Sequence, residues 1–228
     1  MPKHPRSRSS KDLRRHIGKR PPYDRVLIVC EGEKTECNYF KEIRQKARIG
    51  SAHIYVVPSE SGTDPKTVVK SAEEAFKRKG RSFERVYAVF DRDDHQEYAN
   101  AIHMADARNQ KLINDGKQHV TFEAIVSVPC FELWLLLHFE DVQTSIHREA
   151  VFKRLRTHIS TYEKSMQNLF SLTESNLVTA TDRAKVLKRT YQRIPGVDPY
   201  TDVHELVDLL RRIRVTRIAW DSYISRSA

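Results

Sequence analysis

The sequence predicts an α/β protein with a small doubly wound, mainly parallel four-stranded sheet. Helices cover both faces, and a helical C-terminal part follows. Two observations carry this. The continuous apolar runs at Arg25–Cys30 and Val86–Phe90 read as strands buried on both faces, as in a parallel sheet covered by helices. These runs alternate with helix-length segments, the pattern of βαβ units joined by right-handed crossovers. A third observation points to function. The first run stops at Glu31 and the second at Asp91 and Asp93, and ligands of open α/β sheets bind outside the carboxyl ends of the strands.

Residues 1–22 hold eight Lys or Arg against Asp12 alone, and so carry seven of the ten net positive charges. With no apolar periodicity, this arm is expected to stay disordered until it meets a polyanion. Pro21-Pro22 makes a stiff boundary before the first strand, Arg25–Cys30. Thr35 is placed to cap a helix running to about Ala47, with Tyr39, Phe40 and Ile43 facing inward. After Gly50, His53–Val57 is a second strand, and the turn-rich loop 58–65 feeds a helix with Pro65 in its first turn, running to Gly80. The third strand, Val86–Phe90, leads into a helical pattern through Ile102, Met104, Ala105 and Leu112, with Gly116 as a stop. Thr121–Val128 is the fourth strand. Pro129–Phe139 then begins a helix that is apolar almost all round, and therefore buried. Trp134, Leu135 and Leu137 read as core, whereas Glu132 needs a partner and either caps this helix or faces the acids.

Beyond Asp141 the pattern turns helical and polar, at 148–159, 161–170, 181–194 and 201–213. The expected organisation is a basic arm (1–22), an α/β catalytic core (23–141) and a helical extension packed on it (142–228). No apolar run approaches the roughly 20 residues that span a bilayer. The basic N-terminus lacks the apolar stretch of a secretory signal. Cys30, Cys37 and Cys130 show neither an even count nor a Cys-x-x-Cys spacing and read as reduced thiols. A cytoplasmic protein is expected.

Carboxylates gathered at one edge repel and raise one another's pKa, a cost that a hard divalent cation removes. Mg²⁺ or Mn²⁺ fits such oxygen donors, and bridged to a phosphodiester it would polarise phosphorus. Gly32 would let the backbone turn tightly or approach a ligand. The plainer alternative is that each acid caps a helix start, although capping does not call for Asp-x-Asp. Basic side chains offer a second theme. Arg14, Arg15, Lys19 and Arg20 lie in the arm, and Lys185, Lys188 and Arg189 share one helix face at i, i+3 and i+4. Both sets suit a phosphate backbone, though such runs are often only solvated.

Glu-Gly after a first apolar strand, with a later strand ending Asp-x-Asp, resembles the Toprim domain of topoisomerases, primases and related nucleases. Three stretches, Val29–Glu36, Phe90–His95 and Pro129–Phe139, together resemble the RloB-like family, which is associated with bacterial abortive infection and restriction-linked defence. The resemblance runs from about Arg20 to about Arg212. It implies Glu31 as general acid or base, and Asp91 and Asp93, with Glu31 beside them, as metal ligands. Lys34, Glu36, Asp94, His95 and Glu132 would support them. The implied activity is Mg²⁺- or Mn²⁺-dependent cleavage of nucleic acid, with RNA such as tRNA the expected substrate, as a toxic effector in antiphage defence. A partner ATPase is implied as the restraint on that activity, and a homodimer is expected. The alternatives are a signalling receiver, which also collects acids after its first and third strands, and a non-catalytic nucleic-acid-binding subunit.

Overall fold

The computed structural model describes residues 23–93, 95–191 and 198–226, the side chains at 220, 223, 224 and 226 excepted. The basic arm therefore lies outside the described residues, with Arg14, Arg15, Lys19 and Arg20, as does Asp94.

Four parallel strands form the sheet: β1 (Val26–Cys30), β2 (Ile54–Pro58), β3 (Arg85–Asp91) and β4 (Thr121–Val128). A fifth strand, β5 (Tyr200–Thr201), joins antiparallel to β4, giving the order β2-β1-β3-β4-β5. The sheet thus has five strands where the sequence predicts four. A two-residue strand next to Pro199 leaves no apolar run to read, and its pairing with Ser127 and Val128 is fixed by tertiary contact.

Alternation along the strands explains their continuous apolarity. Val26, Ile28 and Cys30 of β1 enter one hydrophobic cluster, whereas Leu27 and Val29 enter the other. The second cluster packs under α2 (Pro65–Arg78) and α3 (Tyr98–Asp106). Asp64 caps α2 by accepting from the Thr67 N–H at 3.1 Å, with Pro65 at the position where a missing N–H costs nothing. α3 is shorter than its pattern implies. Beyond it the Asn109 side chain accepts from the Phe122 N–H at 3.1 Å, tying residue 109 to β4 instead of to a further helical turn.

The first cluster packs under α1 (Thr35–Lys46), α4 (Glu132–Leu136), α5 (Arg148–His158), α6 (Leu169–Thr173), α7 (Leu177–Tyr191) and α8 (Val203–Arg226). Its centre is Trp134, whose indole N–H donates to the Tyr39 hydroxyl at 2.9 Å. Val203, Leu206, Val207 and Leu210 of α8 join the same cluster as Val26 and Ile28, so the C-terminal helices share the core of the sheet. Two expectations need correction here. Thr35 is the first residue of α1 and not its cap; its hydroxyl donates to the Lys164 carbonyl at 2.8 Å. Residues 161–168 form turns in place of the start of a helix.

Candidate active site

The crossover from β2 to β3 carries the chain across β1, so the direction of winding switches between β1 and β3. A crevice is required there, outside the carboxyl ends of the two strands. Cys30 pairs with Val89, which sets Glu31 one residue beyond β1, its N–H donating to the Val89 carbonyl at 2.8 Å. The Glu31 carboxylate in turn accepts from the Asp91 N–H at 2.9 Å. Past β3, the Arg92 and Asp93 N–H groups donate to the Ser127 and Pro129 carbonyls at 2.9 and 3.0 Å, which extends the ladder with β4. Asp93 sits at φ 38°, in the left-handed region that Asp tolerates better than most residues. That turn places Asp91 and Asp93 on the same edge as Glu31.

The structure brings two further acids to them. Glu36 comes from the first turn of α1 and Glu132 from the first residue of α4. These five carboxylates line one cavity of about 320 Å³, together with the exposed Glu33 and with Lys34, Arg148 and Lys164. Carboxylate oxygens of Glu31 and Asp93 and a ring nitrogen of His95 lie within 4.8 Å of one another. Gly32 is not held in a conformation reserved for glycine. A Cβ there would meet the Glu36 carboxylate at 3.5 Å, so its absence leaves room beside the acids rather than a special turn.

The electrostatics follow from crowding in a buried place. Asp91 is only 6% exposed. Burial first, then Glu36, Glu132, Glu31 and Asp93, push its carboxyl well above the usual range. Glu36 is raised to about 7, by burial and then by Glu132 and Glu31. Burial also raises Glu31, and Asp93 adds to the effect. Three groups answer these charges. Glu132 accepts from the Tyr162 hydroxyl at 2.7 Å, Arg148 forms an ion pair with Asp93 through one carboxylate oxygen, and Lys164 lies in the wall. The other Asp93 oxygen is buried without a hydrogen-bond partner.

A family model for RloB-like proteins matches residues 26–210. The chain belongs to this family. Membership in the RloB-like family is consistent with a defence-related role. No curated protein and no solved structure matches the chain.

Of the site residues expected for this RloB-like protein, Glu31, Asp91, Asp93, Lys34, Glu36 and Glu132 line the one cavity, and His95 borders it. Lys185, Lys188 and Arg189 do not reach it; they line a groove beside Arg85, at the other end of β3. Sequence reasoning missed Arg148, Tyr162 and Lys164. Their side chains arrive from α5 and from the turns after it, and no local spacing links them to strand ends more than fifty positions away. The receiver alternative loses its frame, because the fifth strand is antiparallel, two residues long and followed by Asp202. No helix among the described residues is long and apolar enough to cross a membrane.

Proposed function

We propose that this RloB-like protein is a divalent-metal-dependent nuclease of the Toprim type, cleaving phosphodiester bonds of nucleic acid as an effector of antiphage defence. One observation carries the reading: five carboxylates converge at the β1/β3 switch point, and one oxygen of Asp93 is buried there without a partner. Such a cluster is costly unless a cation joins it. The donors are all hard oxygens apart from His95, a set suited to Mg²⁺ or Mn²⁺. Glu31, Asp91 and Asp93 would hold the ion, with Glu36 and Glu132 behind them. A bound cation would polarise the phosphoryl group and draw negative charge from the leaving oxygen.

The chain's own residues supply the rest. Lys34, Arg148 and Lys164 set positive charge around the acidic centre, where they can orient a phosphate that the carboxylates alone would repel. Glu31, raised by burial and by Asp93 and anchored by the Asp91 N–H, is the group assigned to proton transfer. Arg148 keeps Asp93 in place through one oxygen and leaves the other for the ion. RNA such as tRNA is the proposed substrate, and a partner ATPase and a homodimer belong to the same proposal. The test is incubation of purified protein with RNA and DNA pools, with and without Mg²⁺ or Mn²⁺. Metal-dependent cleavage that disappears in Glu31→Gln supports the reading. Cleavage unchanged by Glu31→Gln removes that residue's role, and no cleavage of either pool with any metal removes the nuclease.

A further inference from the structure

We infer that a basic groove between α7 and α8, at the opposite end of the sheet from the acids, holds the phosphate backbone of a nucleic acid. This rests on the nuclease reading only in that the same molecule would reach the acidic cavity. Two cavities of about 680 and 690 Å³ run into one another there, sharing Asp208 and Arg212. The first is floored by Arg85 and Tyr87 at the start of β3, whereas Asp91 ends that strand.

Not every basic residue in the groove is available. Lys188 is held by Asp202 at 3.0 Å and Glu205 at 2.5 Å, and Lys185 lies 3.9 Å from Asp208. Arg189, Arg211, Arg212 and Arg214 are different: all four are exposed, and their side chains have no ion pair or hydrogen bond among the described residues. Arg211, Arg214, Val215 and Ile218 recur at i, i+3, i+4 and i+7, which puts them on one face of α8. Guanidinium groups match phosphate through paired N–H donors.

The separation sets the size of the ligand. Six residue steps along β3, from Arg85 to Asp91, span about 20 Å, at roughly 3.3 Å each. At 3.4 Å per base-pair step, a ligand reaching from one end to the other covers at least about six steps. The groove therefore calls for an extended or structured nucleic acid rather than a nucleotide.

The test uses full-length protein carrying Asp91→Ala, so that binding is measured without cutting. Arg211, Arg212 and Arg214 are changed together to Gln, and in a second variant to Lys. Hairpins of RNA and of DNA, each with a stem of about 20 base pairs, are titrated across a salt series. Each phosphate neutralised contributes about 0.7 to 0.9 to the slope of log affinity against log salt. The Gln variant should lower that slope by about 2 to 3 units, and the Lys variant should keep it, since Lys also neutralises phosphate. The hairpin that shows the larger drop identifies the nucleic acid. An unchanged slope with both hairpins overturns the inference. So does an equal drop in the Lys variant, or a change in oligomeric state with no change in slope, which would assign the face to a second copy. Hairpin binding with the expected slopes, but with no cleavage by the unsubstituted protein, would sink the nuclease reading and leave the groove.

Discussion

Replacing Glu36 by Gln should stabilise the metal-free protein at alkaline pH and flatten its pH dependence. The Glu36 carboxyl is raised from 4.5 to about 7, by burial and by Glu132 and Glu31. The folded protein therefore holds that proton more tightly than the unfolded chain does. Below 4.5 both states are protonated and the group costs nothing. Between 4.5 and about 7 the unfolded chain releases its proton first, so stability falls as pH rises, and above about 7 the loss is complete. The whole shift corresponds to about 3 kcal/mol. Part of that repulsion is shared with Glu132 and Glu31, so Gln should recover roughly 1 to 3 kcal/mol, or about 2 to 10 °C in Tm for a chain of this size. The assay is thermal unfolding in the presence of a chelator, at about pH 4 and about pH 8, close to the two limits of this linkage. Glu36→Gln should match the wild type at the lower pH and exceed it at the higher. A lower Tm than the wild type at the higher pH, or an unaltered pH dependence, would refute the account of a crowded, charge-strained cluster.

Other consequences are equally open to measurement. Asp91→Ala should leave the metal-free fold at least as stable as the wild type, because it removes a buried carboxylate facing four others; a large fall in Tm would make Asp91 structural. Arg148→Ala should destabilise the metal-free protein by about 1 to 3 kcal/mol, since Asp93 loses the ion pair it makes in a partly buried place; chemical denaturation reads this, and no change would mean that the pair contributes nothing. Tyr39→Phe should cost about 1 to 3 kcal/mol by orphaning the buried Trp134 N–H, while leaving Mn²⁺ affinity alone; melts and metal titration on the same sample check both halves. Deleting residues 1–20 should reduce the salt dependence of nucleic-acid binding by about 2 to 5 units of slope, measured in the Asp91→Ala background, whereas an inert tail would leave it unchanged.

The sheet and the acids at its edge were legible because both rest on local pattern. Continuous apolar runs mark strands buried on two faces, and the structure makes the runs that end at Glu31 and Asp91 neighbours in the sheet. The convergence of Glu36 and Glu132 on them was only half legible. Each stands at a helix start after a strand, but whether a first-turn acid turns inward depends on how that helix is tilted. Arg148, Tyr162 and Lys164 could not be read, since their approach depends on where α5 docks and on the turns after it, which carry no periodic signal. The basic face of α7 was legible as a face, but not as one already partly neutralised. Its partners Asp202, Glu205 and Asp208 come from around β5 and α8, and β5 is too short to leave a pattern.

The central claim is that the five carboxylates form a divalent-cation site, and direct titration of Mn²⁺ tests it without needing substrate or partner. Calorimetry or electron paramagnetic resonance on the chelator-stripped protein should reveal saturable Mn²⁺ binding, competed by Mg²⁺ and weakened at least tenfold, about 1.4 kcal/mol, in Asp91→Ala. Binding that survives Asp91→Ala undiminished, or no binding beyond that of an unrelated protein of similar charge, would contradict the account.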